Sequence, residues 1–206
     1  MAIVQYTQLG ALILAGGLGS RMGYQNKGLI KFGHNHLIDP ILNVLEQHCA
    51  YVAISANQDI EQYRHKNVEV WSDQLPWKGL GPLAGVRSSV PYFPEHIQYI
   101  QVVPCDSPFI NSHVIQKLSE KLQSNDALAV YAQTSSQIYP VIFQFKRAAL
   151  NQLSEYLRAS HTHSIRRWLN KIGAIAVNFE DDAIFINMND MQTLNQYLPM
   201  REKSCH

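Results

Sequence analysis

Apolar residues recur along this chain in two alternating rhythms. Residues 11–15, 51–55, 68–71 and 97–103 form short apolar runs of strand length. Their few polar interruptions, such as Gln98 and Gln101, suit strands covered on both faces. Between the runs the period changes. Leu37, Ile38, Ile41, Leu42 and Leu45 repeat at helical spacing to about His48, with Pro40 in the first turn, where proline is tolerated. Residues 58–65 read as a short polar helix, and a helix opening at Gly81–Gly85 must stop before Pro91. Residues 111–124 form an amphipathic helix with Val114, Ile115, Leu118 and Leu122 inward. In the second half, 127–132, 139–145, 175–179 and 184–188 are predicted strands, and 147–158, 164–170 and 191–198 are predicted helices. This alternation predicts a single three-layer α/β domain: a mostly parallel sheet, parallel at least in its first half, with helices on both faces.

The densest chemical signal follows the first run. Residues 11–29 read Ala-Leu-Ile-Leu-Ala-Gly-Gly-Leu-Gly-Ser-Arg-Met-Gly-Tyr-Gln-Asn-Lys-Gly-Leu. The strand runs into Gly16, Gly17 and Gly19, a turn with almost no side chains, where backbone N–H groups can nest an anion. Arg21 and Lys27 follow, two cations suited to neutralising a polyphosphate. Two common phosphate motifs do not fit. A P-loop needs lysine followed by serine or threonine, whereas Lys27 stands between Asn26 and Gly28. A dinucleotide fingerprint needs a third glycine where Met22 stands, and Gly23 comes one residue too late.

Composition narrows the function classes. Of the 206 residues, 46% are hydrophobic and 16% charged, a globular balance that excludes disorder, at a length suited to one domain. A net charge of +1 exerts no overall pull toward nucleic acid or membrane, so anion binding has to be local. No apolar run approaches the ~20 residues of a membrane span. Residues 1–10 lack the basic region and apolar core of a secretory signal. Cys49, Cys105 and Cys205 are odd in number and widely spaced, matching neither a zinc site nor a disulfide framework. A reducing cytoplasm is therefore the expected setting. Cys205-His206 is expected to end a disordered tail, 199–206.

Ligands of open α/β sheets bind beyond the carboxyl ends of the strands. The glycine turn, Asn57, Asp73 and Asp106 each follow a different predicted strand, so all four are expected on one rim around one ligand. Asp106, in Pro104-Cys105-Asp106-Ser107-Pro108, offers the hard oxygen that holds Mg²⁺ against a triphosphate; the same residues also suit a cap or turn. Asn57 and Asp73 are candidates for reading base and ribose. Guanine presents N1–H and an amine to one carboxylate, a donor pair that adenine and cytosine lack. Both residues are also common turn formers. Gly81-Pro82-Leu83-Ala84-Gly85 either turns helix amides toward an anion or only packs.

The string Leu14-Ala15-Gly16-Gly17-x-Gly19-x-Arg21-Met22-Gly23-x-x-x-Lys27 resembles the signature of nucleotidyltransferases that move NMP from an NTP to a phosphate. Within them it looks most like the molybdenum cofactor guanylyltransferases. The resemblance is dense over 12–108 and thins afterwards. It implies a Rossmann-like nucleotidyltransferase fold, with 1–110 as the nucleotide-binding half and 111–198 as the acceptor-binding half. The implied reaction joins GMP from GTP to the terminal phosphate of molybdopterin and releases pyrophosphate. The implied GTP contacts are Leu14, Ala15, Gly16, Gly17, Arg21, Lys27, Asn57, Asp73 and Asp106. Arg21, Lys27 and Asp106 are the implied catalytic residues, with Asp106 holding Mg²⁺. Asn187 and Asn189, in Ile186-Asn187-Met188-Asn189-Asp190, and Arg166, in Ser164-Ile165-Arg166-Arg167-Trp168, match acceptor-side stretches of the family. Asn189 or Asp190 would equally well cap the last helix. Cofactor-delivering proteins and molybdoenzyme chaperones are the implied partners. Tyr139-Pro140 departs from the His-Pro often found in relatives, so no acceptor role carries over to position 139. The alternatives are a cytidylyl-transferring relative, typically with Leu-Ala-Ala-Gly at the loop, a sugar-phosphate nucleotidyltransferase, and a nucleotide-binding regulator without turnover, against which the intact Lys27 and Asp106 argue. Gly16-Gly17 together with Asp73 favours guanine.

Overall fold

The computed structural model describes residues 6–16 and 26–202. Its strands are β1 (Leu9–Leu14), β2 (Lys31–Phe32), β3 (Asn35–His36), β4 (Tyr51–Ser55), β5 (Glu69–Trp71), β6 (Tyr99–Pro104), β7 (Ala129–Gln133), β8 (Ile138–Lys146) and β9 (Ile175–Asn178). Its α-helices are α1 (Ile38–His48), α2 (Ile60–Arg64), α3 (Pro82–Ser89), α4 (Ser112–Gln123), α5 (Leu150–Ala159), α6 (Ile165–Lys171) and α7 (Met191–Glu202).

Seven strands form one sheet in the order β5-β4-β1-β6-β8-β7-β9, while β2 and β3 pair as a separate antiparallel hairpin. β1 lies between β4 and β6, parallel to both. Only β8 runs against its neighbours, antiparallel to β6 and β7. The inner position of β1 is why its sequence is uninterruptedly apolar: both of its faces meet helices. On one face Ala11 and Ile13 share a core with Ile38 and Ile41 of α1, Tyr63 of α2 and Leu118 of α4. On the other, Leu12 packs with Leu83 of α3, Leu153 of α5 and Trp168 of α6. The fully buried Trp168 meets Phe143 and Phe145 of β8 edge-on, each at 5.9 Å between ring centroids.

The polar interruption at Gln101 pairs across the sheet. Gln101 stands opposite Gln144 in the β6–β8 ladder, and both are fully buried. Gln144 Nε2 donates to Gln101 Oε1 at 2.8 Å, and Ser119 of α4 donates to Gln144 Oε1 at 3.0 Å. A slip of one residue would bury these amides without partners, so the pair specifies register.

Several boundaries differ from expectation. β1 begins at Leu9, two residues early. α2 covers only Ile60–Arg64, because Asp59 is held in the left-handed region (φ 51) and cannot extend a helix backwards. The α5 segment opens as a 3-10 turn, Arg147–Ala149. Residues 184–188 are not a strand. Asp182–Phe185 forms a 3-10 helix, and Met188 N–H donates to the carbonyl of Asp106 at 2.8 Å rather than to a sheet neighbour. The apolar spacing there reflects burial of Phe185 and Met188 against the core. α7 runs on to Glu202, so 199–202 of the expected tail are helical, and Cys205-His206 lies outside the described residues. Among the described residues no helix is long and apolar enough to cross a membrane.

Candidate active site

The carboxyl ends of the first four parallel strands lie side by side, and short bonds extend their ladders into the loops. Ala15 N–H donates to Ser55 O (2.8 Å), Ala56 N–H to Trp71 O (2.9 Å) and Cys105 N–H to Leu14 O (3.1 Å). The loops therefore leave one rim together. They enclose a cavity of about 540 Å³ lined by Gly16, Lys27, Asn57, Asp73, Gly81 and Asp106, with Leu14 behind them. Ala15 is buried beneath. Gly17 and Arg21 lie outside the described residues. Gly81, at φ 78, takes a backbone conformation that favours glycine; this lets α3 start with Pro82 at the cavity wall. The helix amino terminus that the sequence offered thus borders the cavity. A concavity of equal volume on the opposite rim includes Cys49, Tyr51 and Glu69, but burial pushes the Cys49 thiol up to about 12 and leaves it inert.

Lys27 is the hub. Its Nζ donates to Asp106 Oδ2 at 3.0 Å and to Asn189 Oδ1 at 2.6 Å, joining positions 79 and 162 residues away. The two charged side chains are only 22% and 11% exposed, so their attraction is less screened than that of a surface pair. The backbone around Lys27 is held from below. Tyr63 of α2 is fully buried and donates its hydroxyl to Asn26 Oδ1 at 2.5 Å. A Cβ on Gly28 would meet that hydroxyl at 2.5 Å and Cys105 Cβ at 3.2 Å, so only glycine allows this approach. Burial, with Cys105 and Asp59 adding to it, pushes the Tyr63 phenol far up and keeps it a neutral donor.

Segment 187–189 threads beside Asp106. Ser107 donates to Asn187 Oδ1, while Asn189 takes the Lys27 ammonium. Asp190 Oδ1 accepts from Thr193 N–H at 2.7 Å, so Asp190 caps α7 and Asn189 is released to the site. Cys105 is no nucleophile: burial, reinforced by the neighbouring Asp106 charge, pushes its thiol up to about 12.

Among the described residues no group of three or more His, Cys, Asp or Glu could hold a metal ion. Asp106 stands as a single carboxylate whose Oδ2 takes Lys27, and among the described residues no hydrogen bond reaches its Oδ1. One hard carboxylate with one oxygen to spare suits a divalent ion that draws its other ligands from water and phosphate; it would not suit a closed zinc site.

Asn57 and Asp73 orient each other. Asn57 Nδ2 donates to Asp73 Oδ2 at 3.0 Å, and Asp73 N–H donates to Asn57 Oδ1 at 2.9 Å. The amide cannot flip without losing both bonds. Among the described residues no hydrogen bond reaches Asp73 Oδ1, which is left as an acceptor on a residue that lines the cavity.

A second cavity of about 460 Å³ adjoins the first, and Val141 lines both. Its walls include Tyr139, Asp182, Phe185, Asn187 and Asn189. Asp182 accepts from Tyr139 Oη at 2.6 Å and Ser136 Oγ at 2.9 Å, and also from Thr134 Oγ1. Those hydroxyls, Thr134 foremost, then Tyr139 and Ser136, hold its carboxyl below the ordinary 3.8. They also tie segment 182–190 to the β7–β8 turn. Tyr139 stacks on Phe185 with 4.4 Å between centroids. Sequence reasoning set Tyr139 aside and missed Asp182, because hydroxyls at 134, 136 and 139 meeting a carboxylate at 182 leave no local spacing to read. Arg166, matched to the acceptor side, is exposed on α6 and lines neither cavity.

Residues 11–176 match the family model described as the MobA-like NTP transferase domain. The chain belongs to that family. Over 189 residues it is 31% identical to the molybdenum cofactor guanylyltransferase of Haemophilus influenzae, covering 91% of this chain and 96% of that protein. Among solved structures, molybdopterin-guanine dinucleotide biosynthesis protein A from Archaeoglobus fulgidus superposes with a TM-score of 0.76 at 17% identity, over 94% of this chain and 99% of that one. The 4-diphosphocytidyl-2C-methyl-D-erythritol synthase of Anaerococcus prevotii gives 0.74 at 12% identity, over 98% of this chain and 99% of that one. Two differently named proteins thus share this fold, so fold alone does not choose the base.

For this MobA-like nucleotidyltransferase, the support under Lys27 makes a direct prediction. Tyr63→Phe keeps the ring and removes one buried hydroxyl, leaving Asn26 Oδ1 without its donor. Stability is expected to fall by about 1 kcal/mol. Because Asn26 adjoins Lys27, kcat should fall about tenfold, the rate equivalent of ~1.4 kcal/mol. Urea melts and steady-state kinetics check both; an unchanged kcat would show that Lys27 is held without the phenol.

Proposed function

We propose that this protein transfers GMP from GTP to the terminal phosphate of molybdopterin. One observation carries the reading: a single ammonium, Lys27, is shared between Asp106 of the first cavity and Asn189 of the second. Two cavities meeting at one cation suit a reaction that joins two phosphates. GTP takes the cavity reached by the nucleotide-binding half, 1–110. Molybdopterin takes the one formed largely by the acceptor half, 111–198. An oxygen of the acceptor phosphate attacks the α-phosphorus, the bond to the β-phosphate oxygen breaks, and pyrophosphate leaves. The attacking oxygen is already anionic, so no side chain has to remove a proton. The chain's own task is positioning and charge neutralisation.

Lys27 offsets charge on the oxygens in transfer, and Asn189 and Asp106 aim it. Arg21, in the same glycine-rich signature, would supply a second cation for the triphosphate. Asp106 would hold Mg²⁺, which would supply Lewis-acid stabilisation when bound. Asn187 and Asn189 lie where the acceptor phosphate would enter, whereas Arg166 has no such position. Asp73 accepts from the N1–H and amine of guanine, with Asn57 holding it in place. The two buried free cysteines suit a reducing cytoplasm, where cofactor-delivering and molybdoenzyme-chaperone proteins would be its partners.

The test is pyrophosphate release with a molybdopterin acceptor, comparing GTP with CTP. GTP should be favoured in kcat/KM by at least about 10²-fold, since cytosine would leave Asp73 unpaired in the site. Equal or better use of CTP, or turnover only with a sugar-phosphate acceptor, would overturn the reading.

A further inference from the structure

We infer that Trp77 is a positioning residue for base selection: gripped by Arg87 and Arg158, it anchors the loop that carries Asp73 to the nucleobase. The inference rests on the reading of Asp73 as the guanine acceptor and adds what holds Asp73 there.

β5 ends at Trp71 and α3 begins at Pro82. The ten residues between, 72–81, supply Asp73, Gly79 and Gly81 to the first cavity, yet none belongs to the sheet ladder. A loop of this kind explores many conformations unless something pins it. Within 74–80 one side chain is buried, Trp77 at 6% exposure; Leu75, two residues before it, is 84% exposed. The loop folds around that indole. Trp77 N–H donates to Gln74 O at 2.8 Å and Leu80 N–H to Trp77 O at 3.1 Å. Both of these bonds stay inside the loop; the hydrogen bonds that leave it are Gln74 N–H to Ser88 Oγ at 2.9 Å and the solvent-exposed Asn57–Asp73 pair. The indole is thus its buried tie to the body of the protein.

That tie is specific. The guanidinium carbon of Arg87, from α3, lies 5.5 Å from the Trp77 ring centroid, and that of Arg158, from α5, lies 5.2 Å away. Tryptophan is the best aromatic partner for a cation, and guanidinium groups near a ring face gain most when partly desolvated. Arg87 is itself fixed, its Nε–H donating to Ser154 Oγ at 2.6 Å. Burial, and then the nearby Arg158 charge, lower its pKa, so the two cations crowd together and the ring offsets their repulsion. A plain apolar plug would fill the gap without holding two cations. By contrast, the Asn57–Asp73 pair is exposed to water and by itself holds the carboxylate weakly.

The experiment compares GTP with inosine triphosphate, which lacks only the exocyclic amine, in the full chain. It uses the unaltered protein, Asp73→Asn, Trp77→Leu, Trp77→Phe and Arg158→Met. The unaltered protein should prefer GTP in kcat/KM by at least about tenfold, and Asp73→Asn should remove that preference. Trp77→Leu should cut the preference at least about threefold while leaving kcat with inosine triphosphate unchanged, and Trp77→Phe should fall between. A purely structural role would lower thermal stability and leave the ratio alone. If Trp77→Leu does not fold, Arg158→Met, which keeps the indole, must reduce the ratio instead. Collapse of the ratio in Asp73→Asn but not in the Trp77 and Arg158 variants overturns this inference and spares the reading of Asp73. An unchanged ratio in Asp73→Asn overturns both.

Discussion

Replacing Asp106 by asparagine is expected to lower kcat by about 10³-fold or more, some 4 kcal/mol of transition-state stabilisation. Its fold should survive, because asparagine keeps an oxygen for Lys27 Nζ, now 3.0 Å from Oδ2. It also leaves untouched the backbone bond from Met188 to the Asp106 carbonyl. What disappears is negative charge, and with it the carboxylate beside Lys27 in the first cavity that we propose holds a divalent ion. Alanine tests the other half of the argument. It strands the part-buried Lys27 ammonium with Asn189 alone, so Asp106→Ala should lose stability as well as turnover, whereas Asp106→Asn loses turnover alone. Steady-state kinetics, titration of metal dependence and thermal melts read the three quantities. Turnover within tenfold of the parent in Asp106→Asn would remove Asp106 from the metal role.

Lys27→Met should be nearly as damaging, with kcat down about 10²–10³-fold. Methionine reproduces the unbranched stem, so packing changes little, while the donors to Asp106 and Asn189 vanish together. Arginine should not rescue it. Its planar fork cannot replace a point charge aimed at two separate oxygens in a site that leaves the lysine side chain only 22% exposed. Because Lys27 binds to one group from each cavity, its loss should reduce kcat more than it raises KM for GTP. A variant in which KM alone rises would make Lys27 a nucleotide-binding residue and deny it a part in transfer.

These two residues also show how far the chain could be read. Lys27 and Asp106 were legible because each closes a local pattern: lysine after the glycine turn, aspartate after an apolar strand. Asn57 and Asp73 were legible as residues following strands, and the rule for strand ends put them on one rim. The partnership of Asn57 with Asp73 was not, since a hydrogen bond across 16 residues between two loops has no periodicity. Asn189 was ambiguous between cap and site until Asp190 proved to take the cap. Residues 184–188 were misread as a strand because burial against a core produces the same apolar spacing that a sheet does.

Local chemistry in the sequence by itself determined the α/β alternation, the parallel first half and the residue types at the strand ends. Each follows from interactions among near neighbours or from hydrophobic period. Only the tertiary structure decided that a single ammonium links the two cavities, that three hydroxyls gather on Asp182, and that Trp77 sits with two arginines from separate helices. Most of those contacts join residues dozens of positions apart. They exist because packing the helices on both sheet faces brings distant loops within a few ångströms, and no local pattern records that closure.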